Sequence, residues 1–192
     1  MNKKFLSLLA VAILAGGVFA ACQREEERHD EPVAEGLGSA DGVSTASIAN
    51  EPELFINSAA GNHWIVAAEN DLTVDRDVVF SGEFMGNPER PAEEHYRKLA
   101  LYSQDADRNI TNVHTLHLGG HRLVVESPGF KISNGIIDGD IYVKAPGFIL
   151  ENTIVEGDIV FANEEYRESA NLYADDDSGL HHTEIRGEVR VD

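Results

Sequence analysis

Cysteine is almost absent from this chain: it has a single one, Cys22. No disulfide can form within it, so packing alone must hold its fold. Basic residues are scarce too, with 15 Lys and Arg against 34 Asp and Glu, a net charge of −19. Such a surface argues against nucleic acid as a partner and against adhesion to an anionic bilayer through the protein itself. Catalytic motifs are also missing: there is no HExxH, no CxxC, no glycine-rich phosphate loop and no Ser-His-Asp order. The one long apolar run, from Phe5 to Leu14, is too short and wrongly flanked for a stable membrane span.

What the chain does have is repetition. Residues 123–143 read LVVESPGFKISNGIIDGDIYV and residues 141–161 read IYVKAPGFILENTIVEGDIVF. Pro128-Gly129-Phe130 falls on Pro146-Gly147-Phe148, Asn134 on Asn152, and Gly139-Asp140-Ile141 on Gly157-Asp158-Ile159. A fixed period marks a repeat architecture. Within each copy, short alternating runs of Ile, Val and Phe are broken by Gly, Pro and Asn, the pattern of short strands separated by corners. The expected fold is all-β: a single-stranded parallel β-helix with rungs of roughly 18 residues, right-handed in preference to left-handed, carrying loop insertions.

Equivalent positions should then stack: Phe130 on Phe148, Ile132 on Leu150, Ile136 on Ile154, Ile141 on Ile159, Val143 on Phe161. Ile154 is expected inside and Glu156 at an outward corner. Gly139 and Gly157 are expected at corners needing positive φ, and Pro128 and Pro146 at corners because they lack an amide hydrogen. Asn134 and Asn152 either stack as an internal amide ladder or serve as turn formers. The segment Ile185–Val191 repeats the form of 154–160, aligned as Ile185 on Ile154, after a polar insertion, NEEYRESANLYADDDSG. Val78–Phe84 and Leu116–Gly120 are degenerate rungs, and FMGNPERPAEEHYRK between them is a projecting loop or short helix. FINSAAGNHWIVAA supplies an N-terminal cap, with Phe55 and Trp64 covering the core.

The N-terminus gives an address. Residues 1–21 have a basic start at Lys3 and Lys4, an apolar stretch and small residues before position 22, the form of a secretory signal. Phe19-Ala20-Ala21-Cys22 resembles the bacterial lipobox, with Phe19 where Leu is usual. This implies diacylglycerol on Cys22 and a protein exported to the bacterial cell envelope, anchored to a membrane by lipid. Residues 22–53, rich in Glu, Ser, Gly and Ala, should form a disordered acidic tether, with a reach of roughly 30 Å. The solenoid domain is then 54–192, long enough for one core and not two.

His114, His117 and His121 form H-x2-H-x3-H, but a strand sends residues three apart to opposite faces, so they read as corner or surface histidines. Asp175, Asp176 and Asp177, followed by Ser178-Gly179, offer oxygen ligands of the kind calcium takes, without the spacing of any known calcium loop. They are weak calcium candidates in what otherwise reads as a solvated acidic insertion; no other metal or cofactor is expected. Asp140 and Asp158 repeat at equivalent positions, which explains them without catalysis.

WIVAAENDLTVDRDVVFSGEF, YRKLALYSQDADRNIT and GDIVFANEEYRESANL resemble segments of a family of clostridial-type bacterial lipoproteins with β-solenoid domains. More distantly, the rung pattern resembles the bactofilins, polymer-forming β-helices. The resemblance implies a solenoid fold and lipid attachment, and brings no activity with it. The function expected is that of a non-enzymatic, lipid-anchored envelope protein acting as a binding or structural module. Its partners would be a glycan, an envelope protein or, end to end through the C-terminal edge, a second copy. The alternative is a carbohydrate-active or polysaccharide-binding β-helix protein.

Overall fold

A computed structural model of the chain describes residues 46–84 and 97–192. The signal segment 1–21, Cys22, most of the expected tether and most of the loop expected at 84–98 lie outside the described residues.

The chain opens with β1 (Ala46–Ile48) and α1 (Pro52–Ala60). Pro52 suits a first helical turn, where no amide partner is lost, and Phe55, Ser58 and Ala59 form the helix's buried stripe. Short strands follow: β2 (Ile65–Ala67), β3 (Leu72–Thr73) and β4 (Val78–Phe80). Past residue 96 come β5 (Lys98–Ala100) and an antiparallel pair, β6 (Tyr102–Gln104) with β7 (Ile110–Val113). The long strands are β8 (Thr115–Val125) and β9 (Lys131–Val143). They are followed by β10 (Ile149–Val155) and β11 (Ile159–Phe161). A five-residue helix, α2 (Glu164–Glu168), leads through a loop to β12 (Glu184–Ile185) and β13 (Val189–Val191).

Apart from β6 and β7, these strands make one large, curled parallel sheet of eleven strands. Its pairings fall into three ladders. The first runs β1, β2, β5, the start of β9, and β10, and is prolonged by a bridge from Ile149 to Asn171. The second joins β3, the start of β8, the middle of β9, the end of β10, and β12. The third joins β4, the end of β8, the end of β9, β11 and β13. One stretch of chain therefore contributes to each ladder in turn, and the next stretch lies one strand spacing on, about 4.8 Å.

The repeat read from the sequence is the register of this sheet. Ile132 pairs with Leu150, Ile136 with Ile154, Ile141 with Ile159 and Val143 with Phe161. The proline corners stack as well, with the Gly129 amide donating to the Pro146 carbonyl at 2.8 Å. The degenerate copies belong to the same sheet, since Val78–Phe80 pairs with Leu123–Val125 and Leu72–Thr73 with Leu116–His117. Apolar side chains turned inward form one core, in which Phe55, Phe80, Phe130, Phe148 and Phe161 are all fully buried. Phe55 meets Phe80 edge-on at 6.4 Å, so α1 does cover the core's first end. Trp64 packs edge-on against Phe84 and is not part of that core.

Several expectations need correcting. Residues 46–53, assigned to the tether, include β1 and the start of α1, because Ala46–Ile48 has β2 to pair with. Ile154 and its partner Ile136 are only partly buried, whereas Ile137 and Val155 are fully buried. The reason lies at the preceding corner. Asn134, within β9, and Asn152, within β10, adopt left-handed φ values of 54° and 49°, and such a residue shifts the in–out alternation by one, so the stretches on either side of it run out of phase. The asparagines do not form an amide ladder: Asn134 donates to Ser133 Oγ at 3.1 Å and Asn152 to Asp176 Oδ1 at 2.9 Å.

Gly139 has the expected positive φ, 143°, but Gly157 does not. Gly157 is needed for proximity: a Cβ there would collide with the Gly139 carbonyl, and one on Gly187 with the Gly157 carbonyl. That stack also sets the register after the insertion. Ile185 pairs with Val155, not Ile154, and Val189 with Ile159, one residue from the alignment read in the sequence. The insertion itself is not wholly outside the sheet, since Asn171 bridges to Ile149 and Leu172 packs on the core.

Candidate functional site

The carboxylates are the chemistry this sequence has most of, and their placement is systematic. At successive corners an aspartate reaches to the next layer and accepts a backbone N–H there. Asp71 Oδ1 accepts from Thr115 at 2.8 Å and Asp77 Oδ1 from Arg122 at 2.9 Å. Asp140 Oδ1 accepts from Asp158, and Asp158 Oδ1 from Glu188, both at 2.9 Å. Strands that turn a corner leave amides without ladder partners, and a short carboxylate beside the corner supplies the acceptor. The Asp140 and Asp158 column is thus a row of structural staples.

Ion pairs run between the same layers. Lys131 Nζ meets Glu151 at 2.6 Å, and Lys144 meets Glu126 at 2.5 Å, which raises the Lys144 pKa through the Glu126 hydrogen bond. Arg186 donates to both Glu156 and Glu184. These hydrogen bonds hold the Arg186 pKa above its usual value and the Glu184 pKa below its own.

Asp175, which is partly buried, and Asp176, which is exposed, both reach the corner at Asn152; Asp177 is exposed too. Asp175 Oδ1 accepts the Asn152 amide, and Asp175 Oδ2 accepts the Thr183 amide, each at 2.9 Å. Asp176 Oδ1 accepts the Asn152 side-chain amide at 2.9 Å and the Ser178 hydroxyl at 2.6 Å. Burial pushes the Asp175 carboxyl up, but the Thr183 hydroxyl and amide, the Asn152 amide and the nearby His182 together outweigh it, so its pKa is lowered. The Ser178 hydroxyl is the main cause of the lowered pKa of Asp176. These oxygens bind the loop 175–183 to the sheet. Among the described residues no group of three or more His, Cys, Asp or Glu side chains is placed to hold a metal ion.

The histidines point to three different carboxylates. His117 Nδ1 lies 2.7 Å from Asp138, His121 Nδ1 3.8 Å from Asp77, and His114 Nδ1 4.0 Å from Asp71. Sequence order gave no hint of one grouping: Ser103 Oγ is 2.7 Å from His114 Nε2, so Asp71, His114 and Ser103 line up as a chain. The Asp71–His114 link, at 4.0 Å, is too long for a hydrogen bond, and Asp71 Oδ1 already accepts the Thr115 amide. An aspartate so occupied does not orient the imidazole as a triad requires.

Sequence reading also missed Arg97. It is fully buried, and its guanidinium donates to the carbonyls of Ser58, Ala59 and Gly61 at the end of α1, to His63 at 3.1 Å and to Ser81. Phe84 and Phe80 lie against it at 4.5 and 5.1 Å. Burial pulls its pKa to about 10, which leaves it charged at neutral pH. It is a cap for the helix and a bolt between α1 and the sheet.

No protein-family model matches the chain, and no curated protein and no solved structure matches it. Among the described residues no helix is long and apolar enough to cross a membrane.

Proposed function

We propose that this chain is a non-enzymatic β-solenoid of the bacterial cell envelope, wound right-handed and anchored to a membrane by lipid on Cys22, and that it works as a binding or structural module. The observation that carries the non-enzymatic part is the employment of the carboxylates. Asp140, Asp158, Asp175 and Asp176, the groups from which acid–base or calcium chemistry would be built, each have at least one oxygen engaged by backbone amides, the Asn152 side-chain amide or loop hydroxyls. What supports the solenoid is the pairing of one repeat with the next in all three ladders. Exported location and the anchor rest on the signal-like start and the lone Cys22. The surface left for partners is acidic and repetitive, suited to an envelope protein or a glycan with basic or hydrogen-bonding groups.

Two experiments test this reading. Metabolic labelling with a fatty-acid analogue should mark the chain and not its Cys22→Ala variant; label retained by Cys22→Ala would refute the anchor. The full chain should neither degrade envelope polysaccharides nor react with a fluorophosphonate at Ser103. Turnover of a polysaccharide, or labelling abolished by Ser103→Ala, would sink the non-enzymatic reading.

A further inference from the structure

Among the described residues, the layer formed by β12 and β13 has an outer strand edge with no pairing partner: β12 pairs only with β10, and β13 only with β11. Ile185, Val189 and Val191 pack on the core but remain partly exposed, unlike their counterparts one layer back, Val155, Ile159 and Phe161, which are fully buried. The other end of the core is covered by α1. An uncovered strand edge with apolar side chains is a template for pairing with another chain.

The sequence of this edge is complementary to itself. From Glu184 to Val191 exposed and half-buried residues alternate: Glu184, Arg186, Glu188 and Arg190 point out, and Ile185, Gly187, Val189 and Val191 point in. We propose that the edge pairs with the same edge of a second copy, tail to tail and antiparallel, about a two-fold axis at Gly187. In that register Glu184 faces Arg190 of the second copy, Arg186 faces its Glu188, and Ile185 faces its Val189. Gly187 faces its own equivalent, where no side chain stands in the way. Moving the axis by one residue to Glu188 sets Arg186 against Arg190 and Glu188 against itself, like charge against like, which is destabilising in directly opposed strand positions.

Backbone geometry agrees with this register. The Arg186 amide donates back to Val155, the Glu188 carbonyl accepts from Ile159, and the Asp192 amide donates to Phe161, each at 2.9 Å. Strand alternation therefore turns the N–H and C=O of Ile185 and Val189 to the outer edge, the groups that an antiparallel hydrogen-bonded pair exchanges. Because Gly187 is the corner between β12 and β13, a two-fold axis through it lays β12 along β13 of the second copy and the reverse. Such an isologous contact closes at two chains and does not propagate into a filament. The ion pairs from Arg186 to Glu156 and from Arg190 to Asp158 hold both arginines at this edge with about half their side chains exposed.

This inference names a partner for the assembly side of the function proposed above. It rests on the layered part of that reading and not on the anchor, whose loss would leave the edge intact. The test uses full chains carrying two different tags, coexpressed and captured through one tag. Wild-type copies should co-capture each other. Arg186→Glu with Arg190→Glu makes the edge wholly acidic, Glu184→Arg with Glu188→Arg makes it wholly basic, and each double variant should lose capture of its own kind. Coexpressing the acidic with the basic variant should restore capture, which also shows that both are folded. Val189→Pro, which removes an amide hydrogen from the outer edge alone, should abolish capture while leaving the melting transition in place. Wild-type copies that never co-capture would overturn the proposal and leave the edge to another occupant. Capture indifferent to the double variants, or not restored by mixing them, would overturn the register.

Discussion

Asp140 accepts a hydrogen bond from the backbone amide of Asp158, its own counterpart in the next copy of the repeat, at 2.9 Å. The conserved geometry continues one layer further, where Asp158 accepts from Glu188. Acidity in this chain is therefore partly architectural. Asp140→Ala should leave the Asp158 amide without its acceptor and cost about 1–3 kcal/mol. Asp140→Asn keeps an oxygen in place and should cost less. Urea unfolding of the two variants checks this, and equal losses would mean the bond contributes nothing.

Val155 and Ile154 are neighbours with opposite fates. Val155→Asp puts a carboxylate into a fully buried site, at a cost of several kcal/mol, and should unfold a domain held by roughly 5–15 kcal/mol. Ile154→Asp, on the half-exposed side, should cost about 1 kcal/mol. Circular dichroism melts will rank them, and the reverse order would refute the phase shift at Asn152.

Arg97 joins elements that the sequence separates widely. Arg97→Ala strands the buried Ala59 carbonyl, at a cost of about 1–3 kcal/mol, and the partly buried carbonyls of Gly61 and Ser81. Arg97→Lys should rescue little, since one ammonium cannot span both groups. The melting transition should fall for both variants, and a change within about 0.5 kcal/mol for Arg97→Ala would show that water replaces the guanidinium.

Asp175 and Asp176 predict an acid-sensitive loop. Their carboxyls are held below the unfolded value of 3.8, so their ionised forms stabilise the folded loop above that pH. The contribution disappears as pH falls through the lower folded values. The Thr183 and Ser178 amides, which donate to these carboxylates, should keep their NMR shifts from neutral pH down to about 4 and move below it. Midpoints above 3.8 would contradict the hydrogen bonds.

The period of the repeat, the pairings of Ile132 with Leu150 and Ile141 with Ile159, and the covering role of Phe55 were all legible in the amino-acid sequence. Each depends on local alternation and on a motif copied twice, which are properties of the chain itself. The phase across a corner was not legible, because it turns on the left-handed conformation that Asn134 and Asn152 take, and asparagine is equally at home in ordinary turns. The slip of Ile185 onto Val155 followed from glycine stacked on glycine at 139, 157 and 187, a contact between layers. The tasks of Arg97 and of the aspartates, and the Ser103–His114 pairing, were likewise decided by the tertiary structure. A side chain's partner is whichever backbone group the winding sheet leaves unsatisfied beside it, and nothing in one layer's own sequence states which group that will be.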